Sequence, residues 1–106
     1  MTNETYSSKT DFATVNRTAL AHLPSLLRVW FPDGRRHGHE FVARNPKRDD
    51  RRPGSFSVNL RTGKWADFAT SDRGGDVVSL AAFVLNCSQG QAARSLSGML
   101  GIGVRP

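Results

Sequence analysis

Apolar positions recur at helical spacing near the start of the chain and again a few residues later. Asp11 can cap a first helix, whose apolar positions are Phe12, Val15, Ala19 and Leu20. Pro24 suits the first turn of a second, in "PSLLRVW", which directs Leu26, Leu27 and Trp30 inward and ends before "FPDG". Residues 1–10 lack periodicity, so we expect a flexible tail followed by a single domain over residues 11–106.

The middle of the chain changes from helical spacing to alternation. "HEFVA" alternates as a strand does, and "RNPKRDDRRPG" has a proline near each end and reads as a loop. "SFSVNLRTGKWADF" predicts a hairpin, because Phe56, Val58 and Leu60 share a face, Gly63 marks a turn, and a second run surrounds Trp65 and Phe68.

The last third returns to helical spacing. Asp76 can cap "VVSLAAFVLN", which is apolar on several sides and is therefore expected to be buried on several sides. Ser88 can cap a final helix with Ala92, Leu96 and Met99 facing inward, and Gly101 suits a left-handed helix end. The pattern predicts an α+β domain, with a small antiparallel sheet of three to five strands flanked by N-terminal and C-terminal helices.

The charge of the chain favours a polyanionic partner. Among its 106 residues, 15 are Lys or Arg and 9 are Asp or Glu, which gives a formal net charge of +6. Most of the cations are arginines, which suit bidentate phosphate contacts. The sequence predicts nucleic-acid binding by a basic loop between Arg44 and Arg52 and by cations near it. The predicted binding residues are Arg35, Arg36, Arg44, Lys47, Arg48, Arg51, Arg52, Arg61, Lys64 and Arg73.

The cysteine content and the absence of long apolar runs bear on the compartment. Cys87 is the only cysteine, which excludes an internal disulfide, and no apolar run approaches the ~20 residues that span a bilayer. We therefore expect a cytoplasmic protein with no membrane partner.

Two patterns of residues permit more than one chemical interpretation. Gly74 and Gly75 before Asp76 suggest either an anion site or a structural joint, and we favour the joint because the Asp76 carboxylate would occupy the helix amides. His37 and His39 share one face if they lie in one strand, and with Asp49 and Asp50 they suggest a zinc site or a magnesium-dependent nuclease. Half-exposed histidines and arginine-neutralising carboxylates are the simpler interpretation.

The aromatic residues beside the basic loop also allow two interpretations. Phe56, Trp65 and Phe68 suit base stacking on a single strand, at about 1–3 kcal/mol per base. In a domain of this size, core packing is the favoured role for Phe56 and Trp65.

The run "GSFSVNLRTGKWADFATSDRGGDVVSLAAFVLNCSQGQAARSLSGMLGI", residues 54–102, resembles the zinc-ribbon domain at the N-terminus of bacterial and phage DNA primases and primase-helicases. The similarity lies in "SFSV", "GGD" and the "AARSL…LGI" helix, and it extends loosely back to Gly38. The resemblance implies a zinc-ribbon-like sheet that binds single-stranded DNA template in the replication of a phage, plasmid or mobile element.

The metal ligands of that family are replaced here. The resemblance puts Phe68 and Ser71 at the Cys-x-x-Cys positions and places the other two ligands near Pro46 and Asp49, so we expect no structural zinc and no cofactor. Phe68 is expected to fill the vacated space. The N-terminal helices are expected to offset the lost metal by core packing.

The expected function is a DNA-binding module without a catalytic domain, which acts as part of a primase-helicase or beside one. The alternative is an interaction or inhibitor module for a replication, defence or host protein. That alternative requires an exposed apolar patch, for which Phe31, Trp65 and Val104 are the candidates.

Overall fold

The computed structural model describes residues 11–44 and 56–101. The described residues form an α+β fold in which helices from both ends of the chain flank an antiparallel sheet, as the sequence predicts. In chain order the elements are α1 Phe12–Ala21, α2 Leu23–Trp30, β1 Arg35–His37, β2 Glu40–Ala43, β3 Phe56–Asn59, β4 Trp65–Asp67, β5 Arg73–Gly74, α3 Val77–Leu85 and α4 Gln89–Leu100. The predicted tail, together with Ile102 and Val104, lies outside the described residues.

The five strands form a meander in which each strand pairs with the next one along the chain. All four pairings are antiparallel. Phe41, Val58 and Trp65 are register partners and lie on the same face, which the helices cover. The sequence predicts three to five strands, and the sheet has five. The short strands β1 and β5 form its two edges.

The helix boundaries agree with the capping signals in the sequence. The Asp11 carboxylate accepts hydrogen bonds from the amides of Ala13 and Thr14 at 3.0 and 3.2 Å. Ser88 and Gln91 form a reciprocal capping box at the start of α4, and Gly101 ends that helix at φ 75°. Leu26 and Leu27 are buried, so α2 contributes to the core as expected.

Aromatic side chains join the two layers. Phe56 on β3 stacks on Phe31, which follows α2, with ring centroids 4.9 Å apart. Phe83 on α3 lies 5.9 Å from the Phe56 centroid and 4.8 Å from the Trp65 centroid. This cluster confirms that Phe56 and Trp65 belong to the core.

Two predictions about apolar side chains are wrong. Phe31 and Trp65 are 5% and 6% exposed, so neither belongs to an exposed apolar patch, and their places in the aromatic cluster explain this. Met99 is 51% exposed instead of facing inward. Leu100 occupies the position one turn after the buried Leu96 and packs against the core, which leaves Met99 at the border of the buried stripe.

The start of α3 is the point at which three parts of the chain meet. Ser79 Oγ donates to the Asp76 carbonyl oxygen at 2.8 Å and accepts from Trp65 Nε1 at 2.9 Å. Asn16, on α1, accepts from the Val78 amide at 2.9 Å and donates through Nδ2 to the Asp76 carboxylate at 3.3 Å. These bonds attach α1 and the sheet to one helix end.

Gly74 is required where β5 passes this helix start. A Cβ atom at Gly74 would overlap both Trp65 Nε1 and Ser79 Oγ, whereas a Cβ atom at Gly75 would meet no heavy atom within 4 Å. The first glycine therefore permits close packing.

We expect Gly74→Ala to lower the free energy of unfolding by about 1–3 kcal/mol, because the added methyl must displace the Trp65–Ser79 hydrogen bond. Gly75→Ala is the matched control and should leave stability unchanged or raise it by up to about 1 kcal/mol. Urea unfolding of both variants measures the difference. Equal stability of the two variants would contradict the packing requirement at Gly74.

We expect Asn16→Ala to lower the free energy of unfolding by about 1–3 kcal/mol, because it leaves the amide of the buried Val78 without its acceptor. Arg17→Ala, on the exposed side of the same helix, should stay within about 0.5 kcal/mol of the parent protein. Chemical denaturation followed by circular dichroism distinguishes the two. Alanine is the strongest helix former, so helix propensity cannot explain a loss in either variant. A loss at Arg17 as large as that at Asn16 would contradict the role of the Asn16 bridge.

Candidate nucleic-acid interface

The outer face of the sheet is the face that points away from the aromatic cluster. One row of register partners crosses all five strands on this face. Its members are Arg35, Val42, Ser57, Ala66 and Arg73. The row has an exposed arginine at each end and three uncharged residues between them, of which two, Ser57 and Ala66, are small. With strands about 4.8 Å apart, the two arginine Cα atoms are separated by roughly 19 Å.

A shallow depression follows β3 and β4 on this outer face. Ser57 and Ala66 lie in its middle, and their small side chains leave the space open. Lys64 lies at the end near the β3–β4 turn and Phe68 at the opposite end, about 13 Å away at strand spacing. Its lining residues are Glu40, Ser57, Asn59, Lys64, Trp65, Ala66 and Phe68.

Phe68 lies in solvent and not in the core. The sequence predicts that its side chain fills the space of a lost metal site, but 73% of the residue is exposed. The reason is the strand alternation of β4, in which Trp65 and Asp67 take the inward positions and Ala66 and Phe68 fall on the outer side. Strand β4 ends at Asp67, so Phe68 begins the turn that follows.

Backbone hydrogen bonds close the turn that carries Phe68. The buried Asp67 accepts from the Ala69 amide through Oδ1 at 2.9 Å and from the Ser71 amide through its carbonyl at 2.8 Å. The Asp67 amide donates to the Asp72 carbonyl at 2.7 Å. Ser71 adopts a left-handed conformation with φ 72°. Phe68 and Ser71, the two positions at which the sequence predicts replaced metal ligands, therefore belong to a turn that hydrogen bonds close.

The predicted cations occupy different parts of the interface. Arg35 and Arg73 lie at opposite sheet edges, and Lys64 lines the depression. The Arg36 guanidinium donates through Nε to the Gly38 carbonyl at 2.9 Å, so it is held against its own turn.

The remaining cations lie at the ends of strands or outside the described residues. Arg44 is exposed directly after β2, and Arg61 is exposed in the β3–β4 turn. Lys47, Arg48, Arg51 and Arg52 lie outside the described residues, as does most of the predicted basic loop.

The two histidines do not share one strand face. His37 ends β1, whereas His39 lies in the two-residue turn that leads to β2, because Gly38 reverses the chain at φ 62°. Within residues 11–44 and 56–101, no group of three or more His, Cys, Asp or Glu side chains is placed to hold a metal ion. Asp49 and Asp50 lie outside the described residues.

Three amides in the first turn of α3 have protein acceptors. Those of Val78 and Ser79 donate to the side chains of Asn16 and Asp76, and that of Leu80 donates to the Asp76 carbonyl at 3.1 Å. A phosphate would have to displace these bonds, so the geometry favours the structural joint over the anion site.

Comparisons with known protein families, with curated proteins and with solved structures find no match to this chain. Among the described helices, none is long and apolar enough to cross a membrane.

We expect Phe68→Ala to change the free energy of unfolding by less than about 0.5 kcal/mol, because the side chain is mostly in solvent. Phe56→Ala, which removes a fully buried ring, should cost about 3–5 kcal/mol. Thermal and urea unfolding of both variants test this contrast. A large loss at Phe68 would restore the sequence-based expectation that it packs in the interior.

Proposed function

We propose that this protein is a nucleic-acid-binding module that holds single-stranded DNA on the outer face of its sheet. The observation that carries the proposal is the row from Arg35 to Arg73, with Lys64 in the depression beside it. Exposed cations at such spacing suit the phosphates of an extended strand, and the central small residues let a strand approach the sheet.

The distribution of charge supports this face over the helical layer. The outer face and the ends of its strands contribute Arg35, Arg44, Arg61, Lys64 and Arg73, all of them exposed. Arg36 is also exposed, but as the register partner of Phe41 it lies on the other face. The helices contribute Arg17, Arg28 and Arg94. The hydrogen bonds from Thr14 lower the pKa of the Asp11 carboxyl below its usual value, and the charge of Arg17 adds a smaller effect in the same direction. The Arg17 guanidinium itself contacts the Thr14 hydroxyl. The cations of the basic loop add to the total charge of +6.

We also propose that the module is of primase-like ancestry, has lost its zinc ligands, and binds DNA without catalysing a reaction. The motifs "SFSV" and "GGD" and the closing helix support the ancestry. The β4–β5 turn, at the place of the family's Cys-x-x-Cys pair, is closed by Asp67 and backbone bonds, which is consistent with a fold that no longer needs a metal there. The setting would be replication of a phage, plasmid or other mobile element, with a primase or helicase as partner.

We expect Arg35→Glu with Arg73→Glu to weaken binding of labelled single-stranded DNA and to lower the slope of log affinity against log salt by up to about 2, about one for each phosphate contact removed. Arg28→Glu with Arg94→Glu, on the helices, changes the net charge equally, from +6 to +2, and should leave the slope nearly unchanged. Fluorescence anisotropy at several salt concentrations measures both.

Two results would overturn the proposal. One is the absence of binding by the parent protein at about 50 mM salt, and the other is an affinity that does not fall as salt is added. Equal effects of the two double variants would assign binding to net charge and not to this face. A partner that remains bound after nuclease treatment, with no DNA affinity, would instead favour the protein-interaction alternative.

A further inference from the structure

The depression on the outer face has the shape and lining of a site for a flat, partly polar group. Its middle is formed by Ser57 and Ala66, the two smallest residues of the outer row. An aromatic ring closes one end and an ammonium group the other. A nucleotide complements both ends, because its base can stack on the phenyl ring and its phosphate can contact the ammonium group.

Phe68 is an exposed phenyl ring that the fold does not need for packing. The strand alternation directs it outward, and the hydrogen bonds of Asp67 close the turn directly after it. A large apolar ring in solvent, on a face that also carries cationic side chains, is typical of proteins that stack single-stranded bases. Arg44 and Phe68 lie at the same end of the sheet, because the residues that precede them, Ala43 and Asp67, are both register partners of Phe56.

Glu40 adds an acceptor to this depression. It lies on β2 opposite Asn59, and its side chain reaches along the strand to accept a hydrogen bond from Ser57 Oγ through Oε1. A carboxylate accepts several donors, so the exocyclic amine of a base can join the Ser57 hydroxyl there. A negative charge among phosphate-binding cations weakens binding unless it contacts a donor on the base.

We infer that the outer-face depression is a nucleobase site in which Phe68 stacks on one unpaired base and Glu40 accepts a hydrogen bond from its exocyclic amine, while Lys64 contacts a neighbouring phosphate. The inference rests on the proposed function and specifies its ligand. Stacking on Phe68 requires an unstacked base, so the site prefers single strands to duplex. Acceptance by Glu40 favours cytosine over thymine, which presents a carbonyl in place of the amine.

The experiment measures binding of labelled dC12, dT12 and a duplex of the same length to the full chain by anisotropy. Phe68→Ala should weaken dC12 binding by about five-fold or more and leave the salt slope unchanged, because stacking releases no counterions. Phe68→Trp should retain the affinity, and Phe68→Leu should not. Val29→Ala, which removes an apolar side chain that is 69% exposed on α2, is the matched control and should have no effect.

Two further variants test the remaining parts of the site. Glu40→Gln should reduce the preference for dC12 over dT12, because the amide can donate to the thymine carbonyl. Ala66→Leu fills the depression without a change of charge and should weaken binding as Phe68→Ala does. Circular dichroism of each variant verifies the fold.

The outcomes separate the two proposals. Salt-dependent DNA binding that is equal in Phe68→Ala and Val29→Ala would overturn the nucleobase site and leave the proposed function standing. Equal affinity of the parent protein for dC12 and dT12, or a dC12 preference unchanged in Glu40→Gln, would overturn the role of Glu40. No DNA binding by the parent protein would overturn both proposals.

Discussion

The fold depends on the hydrogen bonds at the start of α3. Asp76 and Ser79 cap the helix, Trp65 Nε1 attaches the sheet to Ser79, and Asn16 attaches α1 to the Val78 amide. Each bond satisfies a polar group that would otherwise be costly to bury beside the aromatic cluster. This arrangement requires a glycine at position 74, because a side chain there would overlap both Trp65 and Ser79. This junction and the aromatic cluster together hold α1 and α3 on the sheet.

The helical layer covers the inner face of the sheet, with α4 packed on α1 and α3, and no described helix covers the outer face. The inner positions are occupied by aromatic and branched side chains, whereas the middle of the outer row contains Ser57 and Ala66. The outer face thus has small residues near its centre and cations at its edges. Such a surface is well suited to an extended polyanion, because its phosphates can reach the edges while its bases face the centre.

The β4–β5 turn is held by hydrogen bonds to the buried Asp67, and it also carries Phe68 of the candidate site. Its closure by Asp67 uses the inward side of the strand, so the outward side remains free to present Phe68. The turn therefore presents an exposed ring at Phe68 and a serine in a left-handed conformation at Ser71.

The sequence by itself determined the helices with their caps, the central hairpin, the aromatic core positions of Phe56 and Trp65, and the role of Asp76, because local hydrogen bonding and periodicity decide these features. It did not determine the fate of Phe68, Phe31 or Met99, because alternation and helical spacing do not show where a strand ends or which neighbour covers an apolar side chain. The Asn16 bridge joins residues 62 positions apart and has no local signal. Only the tertiary structure decided which cations share a face, because the strand register, and not their order along the chain, brings Arg35 and Arg73 into one row.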